Sequence, residues 1–282
     1  MEPVVTLSGT TAGGGGRRLA LGSTLVREQP EQQAPPVQRL RIRYAKRGRL
    51  RFASHRDFSR SFERALVRAR IPMAYSSGFN PHPRISYAGA APTGAASEAE
   101  YLEIGLATSS DPDDVRRLLD SSLPPGLDVL EVVVAEPGQG SLADRLTGSR
   151  WLLRLPDVTV DVAEAAVARF LAAEEVPVER MTKRGLRSFD CRAAVVTLGV
   201  APVSGAPGDP DLPARAEGCA ILDLVLRHGT PSVRPDDVLA GLRETSGLEH
   251  TGSALAERVA QGPLDERSGT VGDPLAPDRD AV

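Results

Sequence analysis

Aromatic side chains, cysteine and long apolar runs are all scarce in this chain, and each shortage removes a class of protein. Aromatics make up 4% of the residues, with a single Trp, so the cores have to be built from Leu, Val, Ile and Ala. Cys191 and Cys219 are the only cysteines, too few for a disulfide framework, a cysteine zinc ribbon or a cysteine-ligated iron–sulfur cluster. They read as ordinary thiols. No His, Asp or Cys pair has a recognisable metal-ligand spacing, so neither a metal nor a cofactor is expected. No apolar run approaches the roughly 18 residues that cross a bilayer. Residues 1–16 lack the basic, apolar and small-residue succession of a secretory signal, and a cytoplasmic location is expected.

What is abundant is positive charge in one place. The 282 residues carry a net charge of −3, yet the segment Arg39 to Arg84 holds thirteen Arg and Lys against two acids, Asp57 and Glu63. An excess of eleven positive charges there is balanced by fourteen negative ones elsewhere, so the chain is electrically polarised along its length. With 41% hydrophobic residues it is long enough for one or two ordinary cores.

Residues 1–38, with Gly13 to Gly16 and Pro35-Pro36, show neither helical nor strand periodicity and are expected to form a disordered leader. From Arg39 the chain alternates: Leu40, Ile42 and Tyr44 on one face, Arg39, Arg41 and Arg43 on the other, which predicts a half-buried strand. Leu50 and Phe52 extend the alternation toward Ser54, where the Ser54 to Asp57 pattern predicts a helix N-terminus. Over His55 to Ile71, Phe58, Phe62, Ala65, Leu66 and Ala69 share one side, while Arg56, Arg60, Arg64 and Arg68 recur on the opposite side before Pro72. Extended pieces follow at 73–76, 84–88 and 101–107, then a helix at 111–123 capped by Asp111-Pro112, then a strand at 127–135.

That order is the split β-α-β pattern of ferredoxin-like folds, and residues 151–243 repeat it loosely with a proline-rich loop at 205–213. The fold class is therefore α+β: one ferredoxin-like lobe over 39–137, a second over 150–243, and a disordered acidic tail over 244–282 with at most a short helix at 254–259.

Three groups of residues bear on function. In such a lobe both helices cover one sheet face, which would leave Arg39, Arg41 and Arg43 on an open cationic platform suited to a phosphate backbone. With Lys46, Arg47, Arg49, Arg51, Arg56, Arg60, Arg64 and Arg68, they are the candidate nucleic-acid contacts. Against this stand Glu98, Glu100 and Glu103, which lie near enough to neutralise them in cross-strand ion pairs. The second group is Gly78 to Arg84, a proline-stiffened turn offering Phe79 for stacking and Arg84 for a phosphate, with His82 held between prolines. The third is His55, at the start of the helix, which with His82 could act as an acid–base pair. Lys183 and Arg184 read as the tip of a hairpin in the second lobe and join the list of basic contacts.

The strings Leu50-Arg51-Phe52, Ser54-His55-Arg56-Asp57, Gly78 to Ser86 and Ser97 to Leu102 resemble a bacterial domain of unknown function described as radical-SAM-linked. Thr182 to Gly185 and Phe189 to Arg192 fit the same family. The resemblance implies a supporting role beside a radical enzyme; since this chain has no Cys-x-x-x-Cys-x-x-Cys run, that enzyme would be a separate polypeptide. Three functions are thus expected in competition: an accessory module binding tRNA or rRNA, a metal-independent ribonuclease using His55 and His82, and a protein adaptor without nucleic acid.

Overall fold

The computed structural model describes residues 32–182, 185–201, 219–250 and 254–281. The leader up to residue 31 and the proline-rich loop lie outside the described residues. Alternation produces strand β1 (Gln38–Lys46), with Leu40 and Ile42 fully buried. The alternation does not carry on through Leu50 and Phe52 as expected. Gly48 adopts φ 54° and turns Gly48–Phe52 into a 3-10 helix, leaving Phe52 60% exposed.

Helix α1 (His55–Arg68) opens where Ser54 Oγ accepts the Asp57 amide at 3.2 Å, and it buries Phe58, Phe62, Ala65 and Leu66. Its end is unusual. Arg70 takes the left-handed φ of 54°, so that its amide and that of Ile71 satisfy the carbonyls of Val67 and Leu66, a closure normally left to glycine. Strands β2 (Ile85–Ala88) and β3 (Ala96–Leu106), helix α2 (Pro112–Asp120) and strand β4 (Leu127–Val134) complete the unit. The strand order β4-β1-β3-β2 is antiparallel throughout, and both helices pack on the Leu40, Ile42, Leu102 and Ile104 face. This is the expected ferredoxin-like lobe.

After the short α3 (Leu142–Arg145) come β5 (Gly148–Leu155), α4 (Val160–Ala172), a separate hairpin of β6 (Pro177–Thr182) and β7 (Gly185–Asp190), then β8 (Val195–Val200), β9 (Ala220–Arg227), α5 (Pro235–Ser246) and β10 (Leu255–Gly262). Their order β10-β5-β9-β8 repeats the first lobe's pattern, with the β6–β7 hairpin inserted. Leu153, Leu155, Ala163, Phe170, Leu222, Leu224, Val238 and Leu242 form its core.

The tail expectation is overturned by β10: residues 255–262 form a strand, neither disordered nor helical, and the second lobe is incomplete without it. Its sequence hid this because Glu257, Arg258 and Gln261 are buried polar residues in a strand flanked on both sides, so the apolar alternation of a half-buried strand is missing. Beyond it, β11 (Leu264–Asp265), β12 (Thr270–Val271) and α6 (Ala276–Arg279) follow as a C-terminal strap. Gly262 permits the turn into this strap, since a Cβ there would sit 2.1 Å from the Gly272 carbonyl oxygen.

Strand β10 also joins the lobes. It runs antiparallel to β5 and parallel to β3, where Glu257 faces Ala96 and Arg258 faces Ser97, merging the main sheets of the two lobes into one eight-stranded sheet. The Arg258 guanidinium is bonded to the Glu100 carboxylate, donates to Gly89 O at 2.7 Å and Ser97 Oγ at 3.2 Å, and lies 5.5 Å from the Trp151 ring centroid. Both partners are at most 3% exposed. Removing one member of a buried pair strands the other's charge. Arg258→Met should therefore lower unfolding free energy by about 3–5 kcal/mol, and Arg258→Met with Glu100→Met should recover most of it, as read from urea denaturation.

Candidate nucleic-acid interface

The odd-numbered residues of β1 do point away from α1 and α2, but the face they reach is not open. Leu142, Leu146 and Leu275 of α3 and the strap pack there against Ala88, Ala99 and Tyr101. Arg41 is 3% exposed; its guanidinium spans both Asp278 oxygens at 2.8 and 2.7 Å, Glu103 at 3.1 Å and the Gly140 carbonyl at 2.6 Å. Arg145 donates to the same Asp278 at 2.5 Å. Burial works to raise the Asp278 pKa, yet hydrogen bonds from Arg145 and Arg41 hold it below the usual carboxylate range.

The other basic residues of β1, and Arg47 just after it, also have partners. Arg39 bonds to Glu103 at 2.8 Å, Arg43 donates to the Glu98 carbonyl at 2.9 Å, and Arg47 clamps Glu98 and Asp128. Lys46 is buried with its amine near the Ala91 and Pro92 carbonyls, and burial pushes its pKa down. The open cationic platform inferred from the alternation is thus corrected: acidic neighbours and the C-terminal strap occupy it. A cavity of about 740 Å³ remains on this face, lined by Arg39 and Arg41, but its cations already have Glu103 and Asp278.

The helix stripe behaves differently. Arg49, Arg56, Arg60, Arg64, Arg68 and Arg70 are exposed, and none has an acid within 4.0 Å among the described residues. Arg64 and Arg68 make only neutral contacts, to Ser61 Oγ at 3.2 Å and to the Ser122 carbonyl at 3.0 Å. Arg51 is half-buried, with its guanidinium 4.8 Å from the Phe52 ring centroid.

The Gly78 to Arg84 segment is a tight loop. Tyr75 bridges to Pro83, the Ser76 amide bonds to the His82 carbonyl at 2.9 Å, and the His82 amide returns to Ser76 Oγ at 3.0 Å. This pinning holds Phe79 on the outside, 58% exposed, while Arg84 donates to the Tyr75 carbonyl at 3.1 Å. His82 is exposed. His55 packs edge-on against Tyr87 with centroids 4.9 Å apart, and the two imidazoles share no hydrogen bond.

In the second lobe the hairpin is present, pairing Thr182 with Gly185; Lys183 and Arg184 themselves lie outside the described residues. Burial pushes the Cys191 thiol up to about 12, in keeping with an inert core cysteine. Among the described residues no group of His, Cys, Asp and Glu is arranged to hold a metal ion, and no helix is long and apolar enough to cross a membrane.

Sequence reasoning missed Arg145, Arg258 and Asp278, and it set Glu100 against the β1 arginines, whereas that carboxylate bonds to Arg258. Asp278 and Arg258 fell within the supposed tail. The one available signal was the burial demand of Arg41, which sits between two core residues.

Comparison with known proteins assigns the chain at this point. Residues 39–235 match the family described as "Uncharacterized protein conserved in bacteria (DUF2344)". The chain belongs to that family. The family match runs from β1 to the first residue of α5, so β10 and the strap lie beyond it. No curated protein matches in sequence. Among solved structures the chain is similar to one in "Crystal Structure of a Cbf5-Nop10-Gar1 Complex", at 11% identity and a TM-score of 0.41, covering 85% of this chain and 58% of that one. It is also similar to the first two RRM domains of yeast poly(U) binding protein (Pub1), at 12% identity and a TM-score of 0.21, covering 78% and 98% respectively.

Two outcomes follow for stability. Arg41→Glu places a carboxylate beside Asp278 and Glu103 and should cost at least about 3 kcal/mol, whereas Arg60→Glu should stay within about 0.5 kcal/mol, both read from chemical denaturation. Because the folded pKa of Asp278 lies below its unfolded value of about 3.9, its contribution is present above that pH and is lost as pH falls through the folded value. Asp278→Asn should therefore flatten the acid limb of a stability–pH curve.

Proposed function

We propose that this protein is an RNA-binding accessory module whose contact surface is the outward side of α1 with its flanking arginines. The observation that carries this is the row of exposed guanidiniums, Arg56, Arg60, Arg64 and Arg68, none with an acid within 4.0 Å among the described residues. Over twelve residues of helix they cover roughly 18 Å, enough to meet several successive phosphates, and the planar guanidinium fork suits phosphate oxygens.

The end of the helix adds a second support. Arg70 occupies a left-handed position where glycine would cost less, and it too is exposed and has no acid within 4.0 Å among the described residues. Exposed Phe52 and Phe79 supply faces on which bases can stack, which fits a nucleic acid better than an acidic protein. Transfer or ribosomal RNA is the class we assign. A supporting role beside a separate radical-SAM enzyme draws on the motif resemblance set out above, with this chain presenting the RNA. The accessory reading is preferred to a ribonuclease because the exposed guanidinium row accounts for binding and assigns no chemical role to His55 or His82.

Anisotropy of a labelled transfer RNA at about 50 and 200 mM salt tests the reading. Wild-type affinity should fall steeply with salt, and Arg60→Glu with Arg64→Glu should weaken it at least about tenfold and lower the log–log salt slope by roughly one to two. Equal affinities for the wild type and this variant at low salt would contradict it.

A further inference from the structure

Where the lobes meet, basic side chains from both line one cavity. A cavity of about 570 Å³ opens between the 3-10 turn and residues 92–95 of the first lobe and α5 and the entry to β10 in the second. That is within the size of small-ligand sites, about 300–1,000 Å³. Arg51, Arg243 and His250 line it from both lobes. Among the described residues, Arg51 Nε and His250 Nδ1 are shielded from solvent yet have no hydrogen-bond partner, and neither Arg51 nor Arg243 has an acid within 4.0 Å.

A buried Arg51 Nε–H without an acceptor is costly, and a ligand oxygen would remove that cost, with the unpartnered His250 Nδ1 beside it. The larger cavity over β1 makes no such demand, since its arginines are already paired. The cleft wall also carries the Phe52 ring, 60% exposed beneath the Arg51 guanidinium, a flat apolar face beside the charges. Asp236 is the one acid among the lining residues. The Gly94 amide donates to the Arg51 carbonyl at 2.8 Å, fixing the turn that presents both Arg51 and Phe52.

We propose that this interlobe cleft binds one nucleotide, its phosphate held by Arg51, Arg243 and His250, its base on Phe52 and a ribose hydroxyl on Asp236. The proposal rests on the RNA-binding reading only for the source of the nucleotide, which is either a single-stranded RNA laid along α1 or a free mononucleotide. Chain continuity favours the strand. Phe52 lies three residues before α1 begins, so a backbone following the arginine ridge runs toward the cleft.

Calorimetric titration with adenosine monophosphate and with a short single-stranded RNA, on the full chain, separates the outcomes. Arg243→Gln, at an exposed position that leaves the fold intact, and His250→Gln should each weaken nucleotide binding about tenfold, and adenosine without its phosphate should not bind. Arg60→Glu with Arg64→Glu should leave monophosphate affinity unchanged while reducing RNA affinity. If neither monophosphate nor RNA binding responds to Arg243→Gln or His250→Gln, the cleft proposal is overturned and the ridge reading stands. If monophosphate binding responds but RNA does not bind at all, the cleft is a free-nucleotide site and the RNA reading falls.

Discussion

The buried pairing of Arg258 with Glu100 is the interaction on which the rest of the architecture depends. Only two residue pairs of backbone ladder connect β3 to β10, a short seam for merging two sheets. Hydrogen bonds along so short a seam specify register weakly, whereas a desolvated ion pair tolerates little displacement. The geometry meets that demand: the guanidinium also reaches Gly89 and Ser97, and the Glu100 carboxylate accepts the Ala91 amide at 3.2 and 3.3 Å. Tyr44 adds its hydroxyl to the same carboxylate, and burial, reinforced by that negative neighbour, pushes its phenol well above the ordinary range. With β10 locked in place, the chain that follows it is delivered across the first lobe.

That delivery divides one run of positive charge into two roles. The strap carries Asp278 onto Arg41 and Arg145, and Arg279 onto Glu131 and Asp273, so the sheet-side cations become internal structure. Among the described residues the helix-side cations receive nothing comparable. An acid-rich C-terminal half could have neutralised both surfaces of the lobe, but topology brings its carboxylates to one face only. What stays exposed is then a consequence of how the second lobe closes.

Much of this was legible in the residues. The alternation of β1, the Ser54 cap and the Asp111-Pro112 start are local signals, and each yields the element expected of it. The repeat of the ferredoxin-like order was visible because α4 and β9 retain strong apolar patterning. Leu50 and Phe52 misled because a positive φ at Gly48 breaks the strand before them. Strand β10 was illegible for a deeper reason: a strand that glues two sheets buries Glu257, Arg258 and Gln261, and buried polar groups look like surface until their partners are known. The same blindness extended to the candidate site. Arginine count and spacing exposed the segment's polarity, but which guanidiniums remain free was decided by residues from about 50 to 240 positions away.

On the proposed reading, RNA meets a helix face and its flanks, with the sheet beneath serving as scaffold and the interlobe cleft as the end of the track. Arginine-selective labelling with phenylglyoxal, located by mass spectrometry with and without bound RNA, tests this most directly. Arg56, Arg60 and Arg64 should label quickly in the free protein and become protected by RNA, while Arg41 and Arg258 stay unreactive in both states. Rapid labelling of Arg41 in the free protein, or no protection anywhere along α1, would contradict the account.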